Sequence, residues 1–135
     1  MQPFVLDARL AEDSVSILKL GLCDIRLAKD SRWPWLILVP QRADVSEVFD
    51  LTPLDQAMLT FEQVTVGTAL KAVTGADKIN IAAIGNIVRQ LHVHVVARTE
   101  DDPNWPKPIW GYGTSVPYEP AAFDAMKTRI LEALQ

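Results

Sequence analysis

The only two histidines of the chain lie two residues apart, in the segment QLHVHVVAR that covers residues 90–98. They are His92 and His94, and their neighbours are mostly valine and leucine. An imidazole can be a nucleophile, a proton carrier or a metal ligand, and its ordinary pKa of about 6.5 keeps it largely neutral near pH 7. Three readings stay open: two inert surface residues, two ligands of one metal ion, or a nucleophile and a hydrogen-bond donor acting on a phosphate.

The alternation of side chains along a strand predicts where the two imidazoles point. One face carries Gln90, His92, His94 and Val96. The other face carries only apolar residues, namely Leu91, Val93, Val95 and Ala97. We expect the apolar face to pack in the core and the histidines to project together from the opposite face, because a shift of one residue would bury both imidazoles.

A metal site would need more ligands than the two histidines supply, since zinc takes three or four protein ligands. The chain has no third histidine and a single cysteine, Cys23, so a carboxylate would have to complete the set. Asp101 and Asp102 are the nearest carboxylates in sequence. Cys23 has no histidine near it in sequence, which favours a small core residue over a nucleophile and fits a reducing compartment.

Length and charge exclude several classes of function. The 135 residues are about the length of one domain, and 49% of them are hydrophobic, enough for a sizeable core. The net charge of −4 disfavours an extended surface for nucleic acid, which would be basic. No segment approaches the roughly 20 apolar residues of a membrane helix, and the N-terminus lacks a signal-peptide pattern, so we expect a cytoplasmic protein.

The periodicity of apolar residues predicts an α+β fold, with a mostly antiparallel sheet of about five strands and helices on one face. Strands are expected over residues 14–20, 23–29, 35–39, 78–84 and 89–98. A long helix is expected over residues 53–74, with Thr52 as its cap, Pro53 in its first turn and Gly75 at its end. Its apolar residues at helical spacing are Leu54, Ala57, Met58, Phe61, Val64, Ala69, Leu70 and Val73.

The segment after residue 98 begins with a loop rich in proline and tryptophan and ends in a second helix, which Pro120 opens. The inner face of this helix is expected to carry Phe123, Met126, Ile130, Leu131 and Leu134. All four tryptophans lie within two positions of a proline: Trp33, Trp35, Trp105 and Trp110. They either fill irregular loops or form a stacking wall for a nucleobase, with the loop folded over the histidines.

The histidine segment resembles the signature of the histidine triad (HIT) family, His-φ-His-φ-His-φ-φ with φ apolar. It reads Gln90-Leu91-His92-Val93-His94-Val95-Val96, so every apolar position matches. The upstream context is similar too: Asn80 in the preceding strand, Gly85 and Asn86 before the signature, and the strand LILVP followed by a long helix. The resemblance is strongest over residues 14–98, within one HIT-like domain that spans residues 1–135.

This resemblance implies a HIT-type α+β sheet, usually in a homodimer, and hydrolysis or transfer at the α-phosphate of a nucleotide without a metal or cofactor. His92 would attack phosphorus and form a nucleotidyl-histidine, and His94 would lie beside the phosphate and help neutralise its charge. Asn80 and Asn86 would contact phosphate oxygens. The partner would be a small nucleotide or phosphate ester. Arg98 is a further candidate contact, or an ordinary charge at a strand end.

Two positions depart from the family pattern. Gln90 replaces the first histidine; its amide can donate a hydrogen bond that orients His92, so it joins the candidate catalytic residues, but it cannot become a cation or relay a proton. Pro34 and Trp35 stand where many members have Gly-His, and Trp35 becomes the candidate stacking residue. An alternative function is therefore a non-catalytic nucleotide or phosphate-binding module on the same fold.

Overall fold

The computed structural model describes residues 3–135 and contains one five-stranded sheet in the order β1-β2-β3-β5-β4. The strands are β1 Ser14–Lys19, β2 Cys23–Ala28, β3 Trp35–Pro40, β4 Lys78–Ala82 and β5 Val93–Arg98. All neighbouring strands run antiparallel, and a bulge interrupts the pairing of β1 with β2. The predicted α+β class with a mostly antiparallel sheet is confirmed.

The helices are α1 Ala8–Asp13, α2 Pro53–Thr74 and α3 Pro120–Leu134, with a short 3₁₀ helix over Val48–Asp50. The bounds of α2 agree with those predicted from the sequence, because the residues that begin and end the helix act through their nearest neighbours. The Thr52 side chain accepts a hydrogen bond from the backbone of Asp55, and Gly75 adopts a left-handed conformation with φ of 65°. None of the helices among residues 3–135 is both long and apolar enough to cross a membrane.

The core lies between one face of the sheet and the helices α2 and α3. From the sheet it takes Ile25, Leu27, Leu36, Leu38, Val93, Val95 and Ala97, from the loop before β5 Leu91, and from the helices Leu59, Val66, Leu70 and Ile130. The prediction that the apolar face of the histidine segment packs in the core is therefore confirmed. Cys23 is also fully buried in this core, and burial, with the Glu62 carboxylate beside it, raises the pKa of its thiol.

The prediction for the inner face of α2 was partly wrong. Leu54 and Phe61 are each 72% exposed and Val64 is 62% exposed, and Ala57 is also exposed. The face that packs in the core instead includes Glu62, whose carboxylate accepts hydrogen bonds from the backbone N–H groups of Leu22 and Cys23 at 2.9 and 2.8 Å. Apolar spacing alone misjudged the helix because a charged residue occupies its buried face.

The histidine segment begins its strand later than predicted, at residue 93 rather than 89, and the preceding strand ends at 82 rather than 84. Gly85, with φ of 64°, turns the chain, and the backbone N–H of Leu91 donates to the carbonyl of Val45 rather than to the sheet. Residues 83–92 therefore form an irregular loop, and His92 lies at its end, immediately before β5.

The sheet face opposite the core is covered by two segments that lie far apart in sequence. On one side, Phe4, Leu6 and Leu10 pack against Ile37 and other outward residues of the sheet. On the other side, the loop after β5 packs Ile109 and Trp110 against Trp33 and Val96. The two histidines face the space between these covers.

Candidate functional site

His92 is oriented by the backbone of its own loop. Its Nδ1 lies 2.7 Å from the carbonyl oxygen of Gln90, and because a carbonyl only accepts, Nδ1 carries the proton in this contact. The remaining ring nitrogen, Nε2, then holds a free lone pair. With 6% of the residue exposed, His92 is a largely desolvated, oriented imidazole that can act as a nucleophile.

His94 is held in the opposite tautomer. Its Nδ1 lies 3.0 Å from Trp35 Nε1, and an indole N–H only donates, so Nδ1 accepts and Nε2 carries the proton. Burial, together with the nearby His92, lowers the pKa of His94 to about 3. His94 is therefore a neutral hydrogen-bond donor, and it can stabilise negative charge by its N–H dipole but not as a cation.

The two rings lie edge to face, with centroids 4.9 Å apart and an interplanar angle of 79°. Both line a cleft of about 490 Å³ whose walls are mostly apolar. The aromatic wall comes from Trp35 and Trp110, whose centroids lie 5.5 and 5.3 Å from that of His94. The rest of the lining includes Arg9, Leu10, Lys29, Arg32, Ile37 and Ile109.

Gln90 does not orient His92 through its amide, contrary to one expectation. The amide oxygen accepts from the backbone N–H of Asp7 at 2.8 Å, and the amide nitrogen donates to the carbonyl of Val5 at 2.8 Å. The hydrogen bond from Gln90 to the His92 ring is made by its backbone carbonyl. The Gln90 side chain thus binds residues 5 and 7 of the N-terminal segment and holds that segment beside the site.

Asn86 lines a second, smaller cavity of about 230 Å³ together with Arg89, Gln90 and His92. This cavity and the cleft share His92 but not His94. Asn86 would therefore contact a phosphate only where the ligand reaches past the ring of His92.

Asn80 and Arg98 do not line the cleft. Arg98 is 1% exposed, donates to the Asn80 side-chain oxygen at 3.0 Å and pairs with Asp102 at 2.7 Å. Its guanidinium also lies 5.5 Å from the centroid of the Trp105 ring. These side chains join β4, β5 and the following loop, so a ligand would have to break their contacts to use them.

The tryptophans lie in different environments. Trp33 is 1% exposed and donates to the carbonyl of Pro103, so it fills the base of the loop. Trp35 and Trp110 flank His94 in the cleft, and the buried indole N–H of Trp110 has no hydrogen-bond partner among residues 3–135. The loop after β5 does fold over the histidines within one chain.

The carboxylate that a metal site at the two histidines would need is not found beside them in the described residues. Asp102, one of the two carboxylates considered for it, accepts from the guanidinium of Arg98. Within residues 3–135, no three His, Cys, Asp or Glu side chains are grouped so that they could hold a metal ion.

Sequence reasoning missed the contribution of residues 5–10, because the resemblance began only at residue 14. Asp7 caps α1 by accepting from the backbone N–H of Arg9, and Arg9 lines the cleft. The cap itself was a signal that could have been read, since Asp is a preferred first residue at a helix start.

Comparison with known proteins agrees with this geometry. The sequence matches the HIT domain family over residues 9–101. A histidine triad protein from Sinorhizobium meliloti is 62% identical, with a TM-score of 0.95 and 97% of each chain covered. One from Bradyrhizobium japonicum is 39% identical, with a TM-score of 0.97 over 99% of this chain and 100% of that chain.

A third histidine triad protein, from Marinobacter aquaeolei, is 38% identical, with a TM-score of 0.94 over 99% of this chain and 100% of that chain. A search of curated proteins gives no significant match. The family match covers well over half of the sequence, and the similar structures extend over nearly all of it. The chain belongs to the histidine triad family, and this membership supports a role of the nucleotide-binding or hydrolase type.

Proposed function

We propose that this protein, as one HIT-like domain over residues 1–135, is a nucleotide hydrolase or nucleotidyl transferase that forms a covalent intermediate on His92. The observation that carries the proposal is the pair of opposite tautomers. The Gln90 carbonyl leaves Nε2 of His92 free to attack, and Trp35 leaves Nε2–H of His94 free to donate. A nucleophile and a donor then open into one cleft.

In the first step, His92 Nε2 forms a bond to the α-phosphorus, and the bond from phosphorus to the leaving group breaks. The leaving group departs with the bonding electron pair and takes a proton from solvent. In the second step, water or another acceptor attacks phosphorus and loses a proton to solvent, the phosphorus–nitrogen bond breaks with its electron pair returning to Nε2, and His92 is restored. The N–H of His94 stabilises the negative charge on the phosphoryl oxygens, and the scheme uses no cofactor.

Turnover of adenosine phosphoramidate and of a diadenosine polyphosphate tests the proposal. We expect the wild type to hydrolyse at least one of them and His92→Ala to be inactive, because the change removes the unprotonated Nε2 that attacks phosphorus. His94→Ala should retain the nucleophile but lose a preorganised donor, which costs about 10²–10³-fold in rate. Absence of turnover with every such substrate would remove the enzymatic claim.

A second candidate function is a nucleotide-binding module without turnover. The observation in its favour is Gln90, whose amide is engaged by residues 5 and 7 and cannot relay a proton. This function predicts saturable binding of a nucleotide and no product. Gln90→His would then be informative, since activity created by that change alone would favour the binding module for the wild type.

We also propose that the protein is a homodimer in the cytoplasm, acting on a small nucleotide or phosphate ester. Support for the dimer comes from α2 and β4. Leu54, Phe61 and Val64 form an exposed apolar stripe on α2. Within the described part of the chain, β4 pairs with β5 alone and so forms an edge of the sheet. A second copy would cover both features.

A further inference from the structure

The proposed reaction places a phosphate anion among neutral groups. His94 is a neutral donor, the Gln90 side chain is an uncharged amide, and the indole N–H of Trp35 already donates to His94. A phosphate in a largely apolar cleft is unfavourable unless a cation compensates its charge. That cation must come from outside the triad segment.

Three cationic side chains line the cleft: Arg9, Lys29 and Arg32. Arg32 and Arg9 each pair with an aspartate and donate to a backbone carbonyl, but the Arg32 side chain is only 15% exposed and its guanidinium lies over the Trp33 ring, so an anion has less access to it. Lys29 follows the end of β2 and is shared with a separate cavity against α3. Of the three, Arg9 is the one that hydrogen-bonds to the loop leading into His92: its Nη1 donates to the carbonyl of Ile87 at 3.3 Å.

We propose that Arg9 is the cation that binds the phosphate at His92, and that Gln90 is the positioning residue that holds Arg9 there. The inference rests on the proposed function and names a binding residue of the same site. It also gives a reason for the glutamine: the side chain at position 90 anchors a cation instead of supplying an imidazole.

The anchoring runs through the backbone of the N-terminal segment. Gln90 binds the segment twice, at the N–H of Asp7 and at the carbonyl of Val5. Asp7 then accepts from the backbone N–H of Arg9 at 2.9 Å and from its guanidinium at 3.1 and 2.9 Å. A displaced Gln90 amide would therefore release the segment that presents Arg9.

The Arg9 guanidinium can still donate hydrogen bonds to a ligand. Within residues 3–135, three of its five N–H groups have protein acceptors, two on Asp7 and one on Ile87, and the other two have none. The Arg9 side chain is 54% exposed, so an anion can reach it. The hydrogen bond with Arg9 lowers the pKa of Asp7, which keeps that carboxylate ionised and the arginine oriented.

The test compares the affinities of adenosine 5′-monophosphate and adenosine, measured by calorimetry at low salt. A charge-assisted hydrogen bond to phosphate predicts that Arg9→Ala weakens binding of the monophosphate about tenfold and leaves adenosine unchanged. Arg9→Lys should recover part of the loss. Gln90→Ala should give a similar loss, and the double variant should lose no more than Arg9→Ala alone, because both changes act through one guanidinium.

Arg89→Ala is the matched control. It removes the same charge on the other side of His92, from an arginine that lines the smaller cavity and not the cleft. We expect it to retain affinity for the monophosphate. Thermal unfolding of each variant shows whether the fold is kept.

Each other outcome overturns the inference. Equal monophosphate affinity in the wild type and in folded Arg9→Ala would do so and leave the proposed function standing. Parallel losses for monophosphate and adenosine, or an equal loss in Arg89→Ala, would show that Arg9 makes no specific phosphate contact. Failure of the wild type to bind or turn over any nucleotide would remove the proposed function and this inference with it.

Discussion

His94 lies beside an indole that can only donate, and this pairing fixes the tautomer of its ring, while burial keeps the ring neutral. Nδ1 accepts from Trp35 at 3.0 Å, and the pKa of about 3 reflects burial first and the neighbouring His92 second. A neutral imidazole in the fold has a consequence for stability, because the unfolded chain protonates His94 near its ordinary pKa of about 6.5.

Between about pH 6.5 and pH 3 the unfolded state therefore binds the His94 proton and the folded state does not, and stability falls as the pH is lowered. The slope from this residue is at most about 1.4 kcal/mol per pH unit. Denaturant unfolding at pH 7.5 and pH 5.0 should show a larger loss in the wild type than in His94→Asn. Parallel losses in the two proteins would contradict a neutral, buried His94.

Trp35→Phe tests the tautomer directly, since it keeps an aromatic ring and removes the indole N–H. In the wild type we expect ring-nitrogen NMR shifts that show Nε2 of His94 protonated and Nδ1 bare. The variant should lose this preference, and turnover should fall about tenfold, as expected when a donor is no longer held in place. An unchanged ring-nitrogen spectrum in the variant would show that Trp35 does not set the tautomer.

At the scale of elements, α2 is attached to the sheet by a buried carboxylate as well as by apolar contacts. Glu62 is 5% exposed and accepts from two backbone N–H groups, that of Leu22 in the turn before β2 and that of Cys23 at the start of β2. Glu62→Ala should lower the free energy of unfolding by about 2–4 kcal/mol, because it leaves two buried donors without partners. Glu62→Gln should cost less, since its amide oxygen still accepts.

Lys71→Ala on the exposed side of α2 is the control, and it should change stability by less than about 0.5 kcal/mol. Denaturant unfolding of the three variants measures these differences. A loss in Glu62→Ala no larger than that in Lys71→Ala would contradict the anchoring role of the carboxylate.

The elements that the sequence predicts well are those whose signals are local. The Thr52 cap, the left-handed Gly75 and the alternation of residues 91–97 each depend on near neighbours, and the structure agrees with them. The inner face of α2 was misjudged because Glu62 finds its partners near residue 22. The amide of Gln90 binds backbone 83 and 85 positions away, so no local pattern could have assigned it.

In the candidate site, too, the features that depend on local sequence were predicted and those that depend on long-range contacts were missed. His92 and His94 project together because strand parity is a local property. Arg9 was missed because it reaches the cleft only through a long-range contact with residue 87. The engaged state of Arg98 was missed for a related reason, since the loop after β5 supplies Asp102 as its partner.

At the scale of the whole molecule, the apolar stripe on α2 leaves Leu54, Phe61 and Val64 exposed to solvent. Phe61→Glu would place a charge in the middle of the stripe, and we expect it to shift a dimer of the wild type to monomer in analytical ultracentrifugation. Phe49→Glu is the matched control, because Phe49 is similarly exposed at 77% but lies outside α2. A wild type that sediments as a monomer, or an equal effect of both variants, would remove the proposed interface.

The covalent intermediate is the central claim, and trapping it is the most direct test. The wild type and His92→Ala are mixed with adenosine phosphoramidate, quenched in alkali, where a phosphorus–nitrogen bond to histidine survives, and digested for mass spectrometry. The account predicts an adenylyl group on the peptide that contains His92 in the wild type and none in the variant. Turnover without any adenylylated peptide, or a modified peptide that persists in His92→Ala, would contradict it.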